Sequence, residues 1–566
     1  MRRPIQHPRS KTEPRPRASD LREPPTSPEG TRVKVLGALF VAVLAFVLYM
    51  PGFGNGYAYD AEAAVQHDER IHTLERPGRL LRASYWSFDE ERLALYRPFV
   101  TLSFAVDWAI LGGKPRGFHQ TNALAHALVS SLVFLLLAGF SSLPAALAGG
   151  ALFAAHPVHV EAVANIVGRA DIFSAGFIFA AMMAWSRLAP RGAAVVITVP
   201  LLFLLALGSK ESAVMLPPLL VLLDAASGRL RPSNVKGWLQ DRTVSLVALA
   251  LVAVVYVAVR QAVLGTMAPE SVNPVMAAAP PGLPRVLTAL QIWPEILRLL
   301  VFPWTLLADY NPRILVPAEG LTPRALGGLV ILAGSVAAGV VALLRGRGRL
   351  GLALLWAPVA LFPVSNLVVP IGVLLAERTL YVAVFPAVLG VAAALDWAGG
   401  KGPRTLHGSL ALAALVCTLF AARTLLRLPV WESTDQVFRT LARDRPDSYR
   451  AQWHFARMAW RDRELEAAAA YYRATMDLWP KEPPVYFEAG MFASEEGMEA
   501  EALYYAERAL EQWPANPVFL RRLAVASLNL GDTAAARSAA ERGLRAVPDD
   551  PLFLAMWAVV GVYDPR

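Results

Sequence analysis

Runs of apolar residues long enough to cross a hydrocarbon layer recur between residues 33 and 426, separated by short polar segments. Each run predicts a helix, because a chain surrounded by lipid must satisfy its backbone hydrogen bonds internally. The pattern predicts eleven spans, near residues 33–50, 119–139, 142–157, 168–187, 192–208, 212–224, 243–265, 323–344, 350–369, 378–397 and 405–426. Several are short or contain proline, as expected where helices break to line a cavity. One more apolar stretch, Leu287 to Leu307, carries Pro294, Glu295, Arg298 and Pro303, and it reads as an interfacial or re-entrant helix.

The pattern changes at both ends of this region. Residues 1–32 are rich in Pro, Arg and Ser, show no apolar face, and read as a disordered tail. Val33 to Met50 is followed by Pro51-Gly52-Phe53-Gly54, which does not resemble a cleavage site, so this run reads as an uncleaved span. After Leu426 the composition turns soluble, and Pro446, Pro480, Pro514 and Pro548 recur at steps of 34 residues. That is the period of the tetratricopeptide repeat, a helix–turn–helix unit. Gly490, Ala502 and Ala509 in one repeat, and Ala536 and Gly543 in the next, fall where paired helices approach closely. The expected fold class is all-α: a polytopic helix bundle over 33–426, with a large loop at 51–118, then a repeat superhelix over 427–566. The repeats suit binding of a peptide or protein segment, or alternatively a spacer or dimer contact.

Composition agrees with this division. The chain is 55% hydrophobic and 17% charged, with a mean hydropathy of +0.41, values that place much of it in lipid. Its one cysteine, Cys417, lies in an apolar run, which rules out a disulfide framework. The formal charge of +9 sits largely in the N-terminal tail and short loops, so it indicates topology rather than nucleic-acid binding. Arg187, Arg191, Arg229, Arg231, Lys236, Arg242, Arg345, Arg347, Arg349, Lys401 and Arg404 all fall on one side when eleven spans are counted. The positive-inside rule makes that side cytoplasmic, with the repeats outside; Arg- and Ala-rich composition suggests a bacterial inner membrane, hence periplasmic repeats.

The same count gathers the unusual polar residues on the other side. Asp60, Glu62 and Asp68 open the first loop, and Tyr96, Arg97 and Pro98 follow later in it. His119, Asn122 and His126 enter the second span. His156, His159 and Glu161 follow the third, and Arg169 and Asp171 open the fourth. Lys210 and Glu211 occupy the turn between spans five and six, Asp309 and Tyr310 follow the interfacial segment, and Glu377 and Arg378 begin the tenth span. Ionisable groups at a membrane boundary are costly and mark functional sites. This set suits transfer from a phosphate leaving group. Arg378, Arg169 and Lys210 could grip the phosphate, Asp60 could take a proton from an acceptor hydroxyl, and His156 and His159 could orient either partner. Structural roles stand beside these: a turn cap for Asp60, interface charges for Glu377–Arg378 and Lys210–Glu211, an anchor for Arg97, packing for the histidines. The order His-x-x-His-x-Glu is not a zinc signature; no metal ligand set is assigned, and a divalent cation stays open as a cofactor.

At these residues the chain resembles the transmembrane and tetratricopeptide-repeat-containing O-mannosyltransferases and their bacterial relatives, type C glycosyltransferases. The matching stretches are GYAYDAEAAVQHDERI, YWSFDEERLALYRPFVTLSFAVDW, GFHQTNALAHA, HPVHVEAVANIVGRAD, GSKESAVMLPPLLVLLD and LLAERTLYVAV, in that order and followed by the repeats. The resemblance implies about eleven transmembrane helices and an inverting transfer of a sugar, often mannose, from a polyprenyl-phosphate donor to hydroxyls of exported protein. It implies that Asp60 is the catalytic acid of the first loop and that Lys210 and Arg378 contact the donor phosphate. Where the family shows two adjacent acids, this chain has Asp60-Ala61-Glu62, which brings in Glu62 as a second candidate. A non-catalytic membrane scaffold, a transferase acting on a glycan or lipid, and a lipid-sugar flippase are the other functions compatible with the spans.

Overall fold

The computed structural model describes residues 28–87, 95–266, 273–310, 312 and 315–562. Every regular element among them is helical. Helices occupy all eleven predicted regions, at Pro28–Tyr49, Pro115–Leu137, Leu143–Ala155, Arg169–Arg187, Ala193–Leu207, Leu216–Ala226, Val235–Leu264, Pro323–Leu344, Gly348–Ala360, Phe385–Gly399 and Pro403–Arg427. Among the described residues, seven helical stretches are long and apolar enough by themselves to cross a membrane; Leu143–Ala155 and Ala193–Leu207 are among the shorter apolar helices. Val244, Leu251 and Val254 on the long helix Val235–Leu264 are exposed, as side chains facing lipid would be.

Three regions depart from the expected helices, each for a local reason. Residues 28–32, expected in the tail, already belong to the first helix. Pro28 opens it and Glu29 sits in its first turn, where an acid complements the helix dipole. Residues 1–27 lie outside the described residues. The helix expected over 350–369 ends at Ala360, and the one expected over 378–397 begins only at Phe385. Pro363, Pro370 and Pro386 lie across these limits, and a proline supplies no amide hydrogen to the preceding turn. Short helical turns at Glu211–Met215, Phe362–Val364 and Glu377–Leu380 replace regular helix there.

The stretch 287–307 forms two short helices, Leu283–Leu290 and Ile292–Val301, broken at Gln291. Gln291 uses its side-chain amide to bond the Val316 carbonyl at 3.0 Å. The surrounding chain is tied down on both sides at one place: the Asn273 amide donates to the Ile371 carbonyl, and the Leu307 amide to Glu377. The segment therefore leaves and returns at the same end of the bundle.

The two ends of the bundle carry different polar groups. One end gathers the first loop, His156 to Asp171, Lys210–Glu211 and Glu377–Arg378. At the other end Asp224 is fully buried and accepts hydrogen bonds from Trp185, Trp238, Arg242 and Arg229.

Beyond the bundle, helices Tyr449–Arg461, Pro483–Glu495, Pro517–Asn529 and Pro551–Val562 alternate with Leu465–Leu478, Glu499–Gln512 and Thr533–Ala546. The predicted small residues sit at close approaches: Ala502, Ala509 and Ala536 are buried, and a Cβ on Gly543 would lie 2.3 Å from the Phe553 ring. The junction between bundle and repeats is not a break in packing. Leu428, Trp431, Val437, Phe438, Leu441 and Ala451 belong to the bundle's hydrophobic core, and a separate repeat core begins at Ala456.

Candidate active site

Four segments that break regular helix bring the predicted residues together. The first is the turn after the first helix, which carries Asp60. The second is the HPVHVEA segment, whose helix His159–Ala164 presents Glu161. Gly168 lets that helix fold back: a Cβ there would lie 2.3 Å from the Ala162 carbonyl oxygen. The third is the turn Gly208-Ser209-Lys210-Glu211. A Cβ on Gly208 would meet the Phe99 ring at 2.4 Å, and the Phe99 amide donates to the Gly208 carbonyl at 3.1 Å. That contact sets Arg97 beside Glu211. The fourth is the turn Glu377–Leu380, which carries Arg378.

Arg378 is the centre of the arrangement. Its guanidinium donates to Glu161 at 2.7 Å and reaches Asp60 at 3.4 Å, and its backbone amide donates to the second Glu161 oxygen at 2.9 Å. Lys210 pairs with Asp171, and Arg97 with Glu211 at 3.1 Å. Burial pushes the Lys210 ammonium below the ordinary lysine range against the pull of Asp171. Burial likewise raises Glu161 although Arg378 opposes it. Each cation thus already has a carboxylate, so an incoming anion must displace or share one.

Beside the Lys210–Asp171 pair lies an open cleft of about 360 Å³, part of it continuous with solvent, lined by Asp171, Lys210, Ser174, Ser212 and Thr379 and by apolar side chains such as Ile178, Met215 and Leu219. Thr379 also borders a neighbouring groove of about 310 Å³ lined by Ile292, Ile296, Leu361, Val364, Ile371 and Leu374. A pocket of mixed polarity and an apolar groove therefore meet at Thr379. The broken turns at 211–215 and 377–384 explain why the cleft lies here, since continuous helices would fill it.

Other predicted residues lie elsewhere. Arg169 is fully buried; it pairs with Asp107 at 2.5 Å and donates to Asn122 at 2.8 Å and to the Phe118 carbonyl at 3.2 Å. It has no open face toward the cleft and ties the helix Pro98–Leu111 to the bundle. Glu377 turns away from Arg378 and accepts from the Leu307 amide at 2.5 Å and the Tyr310 hydroxyl at 2.9 Å. Burial pushes its carboxyl up to about 7, the nearby Arg427 opposing. Glu62 accepts from the Thr434 hydroxyl. With Ala61 fully buried between them, Asp60 and Glu62 face different partners.

The histidines form an aromatic layer beneath the site. His156 reaches the Leu300 carbonyl at 3.3 Å. His126 bonds the Tyr381 hydroxyl at 2.7 Å, and the His159 ring lies 4.2 Å from the Tyr381 ring, centre to centre. Burial keeps His159 neutral, well below the usual histidine range. Among the described residues no group of three or more His, Cys, Asp or Glu is arranged to hold a metal ion. Asp107, Thr434 and Arg450 were not singled out from the chain; Asp107 sits in an apolar helix, and the other two reach Tyr59 and Glu62, more than 300 residues away in sequence.

Helices that cross a membrane, a polar site at one end and tetratricopeptide repeats after them define a polytopic membrane protein with a repeat domain. Two stretches, residues 436–483 and 493–558, match tetratricopeptide-repeat profiles. Over 498 residues the chain is 25% identical to mouse (Mus musculus) protein O-mannosyl-transferase TMTC3, covering 82% of this chain and 54% of that protein. Over 199 residues it is 33% identical to Drosophila melanogaster protein O-mannosyl-transferase Tmtc1, covering 34% and 23%. Over 139 residues it is 40% identical to Drosophila melanogaster Tmtc2, covering 24% and 15%. The chain is a relative of these O-mannosyl-transferases, and spans about half or less of their length.

Proposed function

We propose that the chain is a glycosyltransferase that moves a sugar, mannose first among the candidates, from a polyprenyl-phosphate donor to hydroxyls of an exported protein. The membrane is a bacterial inner membrane in this reading, with the site and repeats on the periplasmic side. The observation that carries it is Arg378, shared between Asp60 and Glu161 and set beside the Lys210 cleft. A lipid phosphate fits a site where Lys210 lines one pocket, Arg378 precedes Thr379 on its wall, and Thr379 also borders an apolar groove.

In this mechanism the acceptor oxygen attacks the anomeric carbon and the bond from that carbon to the phosphate oxygen breaks. Asp60 takes the hydroxyl proton, and the polyprenyl phosphate leaves onto Arg378 and Lys210. Arrival of the donor phosphate at Arg378 competes with Asp60 for the guanidinium and frees the Asp60 carboxylate to face the acceptor hydroxyl. Lys210, lowered by burial, keeps its charge through Asp171 until the phosphate takes over that role. Arg169 takes no part in donor binding here; it holds the scaffold.

The test is direct. The detergent-purified protein receives labelled polyprenyl-phosphate sugars and a periplasmic extract, beside Asp60→Asn. Label on protein with the wild type and at least a hundredfold less with the variant supports the mechanism. Equal labelling removes Asp60 from it. Label found only on glycan or lipid moves the acceptor to those classes, and none with any donor favours a scaffold that presents the repeats.

A further inference from the structure

We propose that the junction helix Thr434–Asp444 and the first repeat are a working part of the catalytic loop, with Thr434 and Arg450 as positioning residues that hold Asp60 in register with Arg378. The inference rests on the transferase reading for its kinetic consequence, although the contacts themselves do not.

Asp60 follows Tyr59, whose backbone is left-handed, with φ of 56°. A tyrosine holds that conformation only where its surroundings fix it. Here the junction and the first repeat supply contacts to its amide, its hydroxyl and its ring. The Tyr59 amide donates to the Thr434 hydroxyl oxygen at 2.7 Å, and the Thr434 hydroxyl donates in turn to Glu62. One threonine thus brackets Asp60 from the residue before it and from the acid two residues after it. The Tyr59 hydroxyl accepts from Arg450 at 3.2 Å, and Arg450 pairs at 3.5 Å with Asp309, just after the interfacial segment. The Tyr59 ring meets Phe438 edge-on at 5.6 Å.

The bracket extends upstream. The Gly56 amide donates to the Glu432 carbonyl at 2.9 Å, and the Asn55 side chain to the Leu428 carbonyl at 3.1 Å. Underneath, Val437, Phe438 and Leu441 are buried in the bundle's core. The helix Thr434–Asp444 and the start of Tyr449–Arg461 therefore cannot shift without moving residues 55–62. Reach and angle of a general base are set to within about an ångström, so the helix that fixes Tyr59 also sets the rate. The split between Asp60 and Glu62 acquires a meaning: the first acid faces the cation and the second anchors the loop to the repeat.

The experiment uses full-length protein in detergent, as wild type, Thr434→Val, Thr434→Ser and Arg450→Gln. Thr434→Val keeps shape and removes the hydroxyl. Expected are a kcat at least tenfold lower, an unchanged KM for the polyprenyl-phosphate sugar, since Arg378 and Lys210 are untouched, and recovery with Thr434→Ser. Amide hydrogen exchange at residues 57–62 should quicken in Thr434→Val and Arg450→Gln, while exchange in the repeats beyond residue 465 stays as in wild type. If the wild type transfers sugar and Thr434→Val retains its kcat, the proposal is overturned. If the wild type transfers nothing, the transferase reading fails on its own, and exchange decides: quickening at 57–62 supports the bracket, and none overturns it.

Discussion

The two ends of the bundle treat buried charge in opposite ways. At one end a single carboxylate, Asp224, is enclosed by two tryptophan amines and two arginines, and the Arg242 guanidinium stacks 3.9 Å over the Trp185 ring. It is saturated and closed to solvent. At the other end the cleft-side cations each meet only one or two carboxylates, and Asp60, Arg378 and Glu211 each keep part of their surface open. A carboxylate saturated with donors holds structure, whereas pairs that can trade one partner for an incoming anion can bind a ligand. Strong polarity alone does not mark a site; unsaturated polarity beside a cleft does.

Substitutions can break or sharpen this contrast. The largest effect should come from Asp224→Ala, which strands the buried Arg242 charge. A loss of about 3–5 kcal/mol is expected in thermal or denaturant unfolding, with the remaining folded protein keeping normal transfer. Arg378→Lys preserves charge and removes the two-pronged grip. It should leave the unfolding midpoint near wild type while transfer falls by about ten- to a hundredfold, read from kcat/KM. A variant that unfolds instead would make Arg378 a structural residue like Arg242.

Glu377 lies between the two cases and gives a pH test. Its carboxyl is raised from the ordinary glutamate value to about 7 in the folded protein, so the folded state holds the proton more tightly than the unfolded one. Stability should therefore fall as pH rises from about 4.5 through 7. Glu377→Gln should flatten that slope, with a difference from wild type of about 1–3 kcal/mol across the window, read from unfolding midpoints. The smallest effect belongs to Arg349→Ala. Its pair with Asp396 lies at the same end as Asp224 but is nearly half exposed, and less than about 1 kcal/mol is expected. A larger loss would show that location, not burial, governs that end.

Much of the fold was legible in the chain because its signals are periodic. The apolar runs set the helices, and the 34-residue spacing set the repeats. The helix breaks at 361–384 were less legible, since an apolar run interrupted by Pro363 and Pro370 reads much like a continuous one. Asp60, Glu161, Lys210 and Arg378 were visible as polar residues at a membrane boundary, and the structure brings them together. Arg169 carried the same signal yet sits in a closed pocket, because its partner Asp107 lies within an apolar helix where no pairing was anticipated. The hold of Thr434 and Arg450 on residues 59–62 left no local trace. Hydropathy marks a composition change at Leu426, while the packing runs on to Ala451.

The central claim is that the end holding Arg378, and not the one holding Asp224, receives a lipid phosphate. The most direct measurement is binding of labelled polyprenyl phosphate to the detergent-purified protein, comparing wild type, Arg378→Gln and Asp224→Asn. The expected result is saturable binding by wild type and by folded Asp224→Asn, with affinity at least tenfold weaker in Arg378→Gln. Equal binding by wild type and Arg378→Gln would contradict the account.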